Sequence, residues 1–267
     1  MPIPVLYINL DSRPDRRLFM ERQFASLGIS AERVAASMPA AGERLVTATA
    51  SRMSPSAAAC LDSHRRALRI VAERGYEAAL ILEDDACLAP ALPAFLDDPA
   101  LMDDWYDVLR LETRPDPVRL SRPQPIAGHD AHRMLSSAPG AAGYIVRGTV
   151  AAAMLADPDL ETLPIDNYLF SRRGMTLYRQ RVFQVAPALC TPAEVLAKDS
   201  PEAAGNIVGL RKAAGRLKRR RVRDQFAAST GELARSIRAF GLGTLLTSSR
   251  KLVPLAPGYV EATSQPD

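Results

Sequence analysis

A short apolar run that ends abruptly in three acidic residues constrains the fold of this chain more than any other feature. Residues 78–82 are all apolar, without alternation, and Glu83, Asp84 and Asp85 follow directly. Such a run predicts a strand that is buried on both faces of a mainly parallel sheet. The three carboxylates then lie at the carboxyl end of this strand, where open α/β sheets bind their ligands.

Other predicted strands and helices alternate along the first 200 residues, which favours an α/β fold with helices on both faces of a mixed, mainly parallel sheet. The first helix ends at Gly28, and the second begins at Ser54 and Pro55 and ends at Gly75. The first helix covers 14–27, and later helices are predicted over 149–156 and 166–172. Besides 78–82, the predicted strands are 5–10, 107–111, 143–146 and 176–185. Residues 35–53 show no periodicity and are interpreted as a loop.

The charge distribution divides the chain into three predicted parts. Residues 201–253 contain 12 Lys or Arg and three acidic residues, a local charge of +9 in a chain whose net charge is +4, so the remainder is acidic. We therefore predict a catalytic domain over 1–200, a basic helical extension over 201–253 and a flexible tail over 254–267. The basic stretch 209–223 favours an anionic membrane surface as partner. A helix packed on the domain is the alternative, and nucleic acid is disfavoured because no base-reading motif accompanies the charge.

The cysteines and the N-terminus indicate a cytoplasmic protein. Cys60, Cys87 and Cys190 are odd in number, widely spaced and without a CxxC pair, which argues against disulfides and against a zinc site. No basic region precedes the first apolar stretch, and no run approaches the roughly 20 apolar residues of a membrane-spanning helix. We expect a soluble protein, or one that is peripheral on the inner face of the cytoplasmic membrane.

Three adjacent carboxylates near a core repel one another unless a cation, basic groups or water compensates. Mn²⁺ or Mg²⁺ is the simplest compensation, and such an ion also stabilises the charge that grows on a nucleotide-sugar diphosphate when the sugar leaves. Residues 83 and 85 share one face of a strand, so one can bind the ion directly. The alternatives are a solvated strand end with a capping Asp, and the two-metal chemistry of a phosphohydrolase or nucleotidyltransferase.

Several short segments together resemble the family 25 glycosyltransferases, the bacterial lipooligosaccharide galactosyltransferase group that also includes collagen galactosyltransferases. Their order and spacing match over roughly residues 3–190. The segments are Ile8-Asn9-Leu10-Asp11 with Arg13, Asp15, Arg16 and Arg17; Cys60-Leu61-Asp62-Ser63-His64; Leu82-Glu83-Asp84-Asp85; Arg110-Leu111; Gly143-Tyr144-Ile145; and Pro164-Ile165-Asp166.

The resemblance implies a GT-A-like fold, a UDP-sugar donor, Mn²⁺ or Mg²⁺, and inversion at the anomeric carbon to give a β-galactoside on lipopolysaccharide or a related, lipid-linked glycan. Carried over by residue, Glu83 and Asp85 are the metal and donor acids, and Asp84 is a supporting or sugar-facing catalytic carboxylate. A catalytically inactive family member that serves as a binding or scaffold protein is the non-enzymatic alternative.

The first strand and helix supply further candidate donor ligands. The resemblance places Asn9 and Asp11 against the nucleotide base and ribose, although a plain turn explains them equally simply. Arg13, Arg16 and Arg17 are candidates for neutralising the diphosphate or an anionic acceptor, or are merely solvated.

Two further candidates lie on helices. Ser63 and His64 share an inward helix face with Cys60, where His64 can hold the acidic strand end or contact the donor. Asp166 is interpreted as the base that an inverting transfer needs, as a second metal ligand or as a helix cap. Asn167 and Tyr168, which follow Asp166, depart from the bulkier aromatic pattern of family members and leave the acceptor open.

Overall fold

The computed structural model describes residues 3–38, 53–198 and 229–257. Its strands are β1 (Val5–Asn9), β2 (Ala31–Ala35), β3 (Ala78–Glu83), β4 (Ala86–Leu88), β5 (Val108–Arg110), β6 (Val118–Ile126), β7 (His129–Met134), β8 (Gly143–Arg147), β9 (Val182–Ala186), β10 (Cys190–Pro192) and β11 (Ser249–Lys251). Its α-helices are α1 (Pro14–Leu27), α2 (Pro55–Glu73), α3 (Leu92–Leu96), α4 (Gly148–Leu155), α5 (Ile165–Phe170), α6 (Thr176–Arg179), α7 (Ala193–Lys198), α8 (Ser229–Phe240) and α9 (Leu242–Thr247).

Nine of these strands form one mixed sheet in the order β11-β6-β7-β9-β5-β8-β3-β1-β2. Within the described ranges, β2, β1, β3, β5, β9 and β6 point in one direction, and β8, β7 and β11 point in the other. β4 and β10 form a separate two-stranded ribbon. The predicted mixed α/β sheet with a mainly parallel direction is confirmed.

The strand β3 is buried on both faces, as its unbroken apolar sequence predicts. Ala79 and Ile81 belong to one hydrophobic cluster, together with Leu68 of α2. Leu80 and Leu82 belong to the cluster on the other face, which includes Met20 and Phe24 of α1. Since successive side chains of a strand point to opposite faces, β3 joins the two layers of the core and its end is held rigidly.

The first two helices have the predicted starts and their local signals explain the bounds. α1 ends at Gly28, whose φ of 66° is the left-handed conformation that glycine adopts readily. The Ser54 side chain caps α2 by accepting a hydrogen bond from the Ala57 N–H at 3.2 Å. Gly75 follows the end of α2, also with positive φ.

Several regions differ from the prediction, including α3 and the ribbon of β4 and β10, which the sequence analysis did not predict. The strand predicted over 176–185 begins only at Val182, because Met175 adopts a left-handed conformation and the next residues form α6, which buries Leu177. The hairpin of β6 and β7 was missed, since two prolines interrupt β6. β2 was missed as well, and most of the loop predicted over 35–53 lies outside the described residues.

The C-terminal part also differs from its predicted organisation. Residues 199–228, which include the whole basic stretch 209–223, lie outside the described ranges, but 229–257 pack on the main domain. β11 extends the large sheet beside β6, the Phe240 ring of α8 lies 5.6 Å from that of Tyr178, and Glu232 forms an ion pair with Arg172. The folded domain therefore continues past residue 200.

The start of the predicted tail is also attached to the domain. The Pro254 carbonyl accepts a hydrogen bond from the Ala188 N–H at 2.8 Å. In the described part of the chain, no helix combines the length and apolar composition needed to cross a bilayer.

Candidate active site

The candidate site lies where neighbouring strands end at one edge of the large sheet. β1 and β3 are parallel, with Ile8 paired to Glu83, so Asn9 and the acidic residues that follow β3 meet at the same edge. β5 points in the same direction, and Glu112 follows it just as Glu83 ends β3. The topology thus brings together acidic groups that are far apart in the chain.

Asp84 is fully engaged within the protein. Its Oδ2 accepts a hydrogen bond from the Asn9 amide at 2.8 Å, and its Oδ1 accepts one from the Arg16 guanidinium at 2.8 Å. The Asn9 amide also donates to the Arg13 carbonyl, and its Oδ1 accepts from Arg33. Asp84 and Asn9 are buried, so in this geometry they join β1, α1 and β3 and do not present free polar atoms to a ligand.

Glu83 faces a histidine and a cysteine of α2. Its Oε1 lies 3.1 Å from His64 Nε2 and 3.8 Å from Cys60 Sγ. Burial opposes ionisation of Glu83, but the hydrogen bond with His64 and the charges around it, including that of Arg114, together outweigh burial and lower the pKa of Glu83. Because a carboxylate only accepts, Nε2 donates to it, and in the neutral ring Nδ1 accepts from the Tyr144 hydroxyl, 3.0 Å away. Tyr144 and His64 therefore hold the Glu83 side chain on the side of α2.

Asp85 is the acidic residue without adequate compensation. Its Oδ1 is buried and has no hydrogen-bond partner, and Arg16 is 3.8 Å from its other oxygen. Burial, reinforced by the charge of Glu83, raises the pKa of Asp85 to about 6. A buried carboxylate oxygen without a hydrogen-bond partner lowers the stability of the fold, unless a bound cation or water molecule contacts it.

A buried ion network forms the wall of the site next to the acidic cluster. Arg114 donates to Glu112 Oε1 at 2.8 Å, and the Ala142 N–H donates to Glu112 Oε2 at 2.8 Å. Arg110 donates to the Glu112 carbonyl and to the Gln184 side chain at 2.8 and 2.9 Å. Burial raises the pKa of Glu112. The network fixes the ends of β5 and β9 relative to the loop that precedes β8.

Asp166 lies in the first turn of α5 and faces the same region. Its Oδ2 accepts a hydrogen bond from the Gly140 N–H at 3.4 Å, and its Oδ1 accepts one from the Asn167 N–H at 2.8 Å. The Asp166 charge raises the pKa of the Cys60 thiol, secondary to the effect of burial, as do the charges of Glu83 and Asp85. The structure thus brings Asp166 into electrostatic range of the acidic cluster.

The remaining predicted residues lie farther from the acids. Arg13 pairs with Asp15, and Arg17 pairs with Glu21 on the exposed side of α1. Asp11 is exposed and pairs with Arg33. Of the three arginines considered from the sequence, Arg16 is the one that contacts the acidic cluster.

Ser63 is engaged within the protein. Its hydroxyl donates to the Ala59 carbonyl at 2.7 Å and accepts from the Ser37 N–H at 2.8 Å. The hydroxyl therefore joins α2 to the segment after β2.

Sequence reasoning assigned no role to five side chains of this site, namely Arg33, Cys60, Glu112, Arg114 and Tyr144. One signal was available for Glu112, because it follows a predicted strand in the same way as Glu83. Arg33 and Arg114 carried no local signal, since only the tertiary fold brings them to the site.

Two groups of side chains could hold a metal ion. Asp85 Oδ1 and Glu83 Oε2, the latter without a hydrogen-bond partner among the described residues, suit a hard cation that prefers oxygen ligands. The second group has mixed chemistry: ligand atoms of Cys60, His64 and Glu83 all lie within 4.8 Å of one another.

Comparisons with known proteins bear on the family of the chain. The family profile "Glycosyltransferase family 25 (LPS biosynthesis protein)" matches residues 3–169, a range that includes the acidic cluster, Glu112 and Asp166. A comparison with curated protein sequences found no significant match.

The solved structures that are similar to parts of this chain include two with 11–12% sequence identity. One is a glycosyltransferase involved in the glycosylation of the major capsid of PBCV-1, at 12% identity and a TM-score of 0.41, over 72% of this chain and 93% of that one. The other is a mannose-1-phosphate geranyltransferase from Thermus thermophilus, at 11% identity and a TM-score of 0.36, over 71% and 75%. These likenesses are too distant to assign a role to any residue. The family match covers more than half of the chain, and the chain therefore belongs to glycosyltransferase family 25 and is a glycosyltransferase.

Proposed function

We propose that this glycosyltransferase transfers galactose, with inversion, from a UDP-sugar to lipopolysaccharide or a related lipid-linked glycan, and that the transfer depends on Mn²⁺ or Mg²⁺. We further propose that the α/β domain is a GT-A-like nucleotide-diphospho-sugar fold, whose donor lies at the carboxyl edge of β1 and β3. The family supports the reaction class, and the residues at this edge support the metal.

The observation that carries the metal dependence is the buried, unpartnered oxygen of Asp85. A bound divalent cation would supply the charge that this oxygen lacks, and would stabilise the charge that grows on the diphosphate as the sugar leaves. Asp85 Oδ1 and Glu83 Oε2 are the ligands that this proposal assigns to it. These oxygens fit a hard cation, because Mn²⁺ and Mg²⁺ prefer carboxylate ligands.

The protein's own residues then have separate roles. Arg16, which bridges Asp84 and Asp85 and is partly exposed, is placed to hold a phosphate oxygen of the donor. Asp84 and Asn9 keep the end of β3 against β1, which preserves the spacing of Glu83 and Asp85. Further candidates for donor contacts, with side chains at least partly exposed beside this edge, are Asp11, Arg13 and Arg17.

Asp166 is proposed as the base. Its carboxylate accepts hydrogen bonds from two backbone N–H groups, which orient the side chain that would take a proton from the acceptor hydroxyl. α5 packs on the face of the sheet opposite to α1, because Ile165 and Met20 belong to different core layers. Asp166 can therefore approach the acceptor while Arg16 faces the donor.

The basic stretch over residues 209–223 supports a lipid-linked acceptor. Its eight Lys or Arg residues suit an anionic membrane surface, and we place the enzyme on the inner face of the cytoplasmic membrane. Nucleic acid is not a proposed partner.

A UDP-release assay tests the proposal. Wild-type protein is incubated with a panel of UDP-sugars and a lipooligosaccharide acceptor, with and without Mn²⁺, and Asp85→Ala is assayed in parallel. We expect metal-dependent turnover of UDP-galactose, and at least a roughly hundredfold lower kcat/KM for Asp85→Ala, because a lost metal ligand costs several kcal/mol of transition-state stabilisation.

The control is Asp103→Ala, which removes an exposed acid that precedes β5, at the opposite end of the strand from the site. It should retain wild-type turnover. Turnover that is equal with EDTA and with Mn²⁺ would contradict the metal proposal. If no UDP-sugar is bound or turned over with metal present, the chain acts as a binding or scaffold member of its family.

A further inference from the structure

Cys60, His64 and Glu83 form a cluster whose thiol and imidazole the proposed transfer reaction does not use. Cys60 and His64 are four residues apart in α2, so both side chains lie on one face of the helix. Glu83 ends β3 directly opposite them, with Oε1 toward His64 and Cys60. A thiol, an imidazole and a carboxylate thus converge from two elements that pack rigidly in the core.

The distances suit coordination of a single ion. A tetrahedral zinc site has Zn–N and Zn–O distances of about 2.0–2.1 Å and Zn–S of about 2.3 Å, which places neighbouring ligand atoms about 3.3–3.7 Å apart. In the structure, Oε1 lies 3.1 Å from Nε2 and 3.8 Å from Sγ, and all three atoms lie within 4.8 Å of one another. Small shifts of flexible side chains complete the geometry.

A hydrogen-bond partner already orients the histidine of this cluster. Tyr144 Oη lies 3.0 Å from His64 Nδ1, so the ring is oriented with Nε2 toward Glu83 and Cys60. The His64 and Tyr144 rings are stacked with centroids 5.8 Å apart, which restricts rotation of the imidazole. A ligating histidine characteristically donates its other ring N–H to such a partner, so on metal binding the imidazole proton would lie on Nδ1 and be donated to the Tyr144 oxygen.

The cluster is also open on one side. Cys60 is partly exposed and the Glu83 side chain is 28% exposed, whereas His64 is fully buried. Three protein ligands with an open fourth position are typical of zinc sites that bind water or a substrate atom. Solvent access provides the path by which an ion enters.

The geometry points to a mononuclear site for Zn²⁺, or a similar borderline divalent metal, formed by Cys60, His64 and Glu83. Thiolate and imidazole ligands favour Zn²⁺ and Co²⁺ over Mg²⁺ and Mn²⁺, so this site differs in metal preference from the carboxylate pair of Glu83 and Asp85. Glu83 takes part in both through different oxygens. The ion would link α2 to the end of β3 and neutralise Glu83.

A Co²⁺ titration of the full chain tests the site without any sugar donor. Co²⁺ bound to a thiolate produces a charge-transfer band in the near ultraviolet, whereas Co²⁺ bound to carboxylates alone does not. We expect this band to saturate at one equivalent, to be displaced by Zn²⁺ and to persist in excess Mg²⁺. Cys60→Ser should abolish the band, and His64→Asn should weaken Co²⁺ binding at least about tenfold, because one of three ligands is lost.

The matched control is Cys87→Ala, which removes a buried thiol of β4 that lies outside the cluster. It should keep the band. A second measurement needs no variant: one equivalent of Zn²⁺ should protect Cys60 of the wild-type protein from alkylation, as read by mass spectrometry.

The inference is overturned if wild-type protein shows no thiolate band, if the band survives Cys60→Ser, or if Zn²⁺ leaves alkylation of Cys60 unchanged. These readouts do not depend on turnover. Failure of the UDP-release assay and failure of this site are therefore distinguishable.

Discussion

Three adjacent carboxyl groups at the end of β3 meet three different environments. Glu83 is held by His64, Asp84 is bound on both oxygens by Asn9 and Arg16, and Asp85 keeps a buried oxygen without a partner. Glu83 ends β3, whereas Asp84 and Asp85 form the turn that leads to β4, so the alternation that the sequence predicts for residues 83 and 85 does not apply and each carboxylate has its own partners. The middle acid therefore stabilises the strand end, while the outer two remain available to a cation.

The raised pKa of Asp85 predicts how stability depends on pH when no divalent metal is present. A carboxyl whose pKa rises from 3.8 to about 6 on folding favours the protonated form, so it imposes no cost below about pH 4. The cost increases as pH rises toward 6 and stays constant above it, at up to about 3 kcal/mol. In EDTA, Asp85→Asn should therefore raise the free energy of unfolding by about 1–3 kcal/mol near pH 8 and hardly change it near pH 4, as measured by urea denaturation.

Asp103→Asn controls for the loss of one surface charge and should give no such difference. Equal unfolding free energies of wild type and Asp85→Asn at both pH values would contradict the interpretation that Asp85 is uncompensated. Saturating Mn²⁺ should reduce the difference in unfolding free energy between Asp85→Asn and the wild type near pH 8, because the ion stabilises the wild type alone.

At the scale of elements, the loop that precedes β8 packs directly against the buried ion network of Arg110, Glu112 and Arg114. Gly140 has a φ of 90°, and a Cβ at this position would overlap Glu112 Oε1 and lie 2.7 Å from Arg114 Nε. The same loop supplies the Gly140 N–H to Asp166 and the Pro139 carbonyl to Arg110. Because Glu112 is buried and bound on both oxygens, it has little room to move.

Gly140→Ala should consequently destabilise the protein by more than its backbone conformation alone explains. Gly128 is the matched control, since it also has positive φ and no atom lies within 4 Å of its added Cβ. We expect a cost of about 1–2 kcal/mol for Gly128→Ala from the left-handed conformation, and at least about 2 kcal/mol more for Gly140→Ala from the clash. Urea denaturation measures the unfolding free energy of both variants. Equal losses of stability would show that the Glu112 network shifts to accommodate the added Cβ without destabilising the protein.

At the scale of the whole molecule, the C-terminal part packs on the domain that carries the site. Residues 229–257 return to the large sheet and add β11 at the edge opposite to β2, where Arg119 bonds to Ser248 at 2.7 Å. The segment is therefore part of the domain and not a separate appendage. The exposed side chains of Leu242 and Leu246, four residues apart on α9, add apolar surface to this end of the molecule.

Vesicle sedimentation tests the proposed membrane contact of the basic stretch. Wild-type protein should sediment with anionic phosphatidylglycerol vesicles, but not with phosphatidylcholine vesicles, and high salt should release it. Substitution by Gln of the eight basic residues should lower the partition coefficient at least about a hundredfold, since each contributes about 1 kcal/mol near an anionic surface. These residues are Arg211, Lys212, Arg216, Lys218, Arg219, Arg220, Arg221 and Arg223.

A variant with Lys at all eight positions preserves the charge and should sediment like the wild type. Unchanged sedimentation of the Gln variant would rule out this stretch as the membrane contact.

Local sequence signals determined the elements that position the site. The unbroken run before Glu83 predicts a strand buried on both faces, and Ser54 with Pro55 predicts the start of α2, because these effects act between neighbours in the chain. The family was also evident from short motifs, and the profile match confirms it. The same local reasoning placed a strand over 176–185, where burial of Leu177 produces a helix first.

Only the tertiary structure decided which of the candidate residues meet. Arg16 reaches Asp84 while Arg13 and Arg17 pair with their own neighbours, and Glu112 and Arg114 join the site from the end of β5. The physical reason is that hydrogen bonds and ion pairs depend on distances of about 3 Å, which strand order and helix packing set between residues far apart in the chain. A sequence alone predicts that acids end a buried strand, and the fold determines which partner each acid receives.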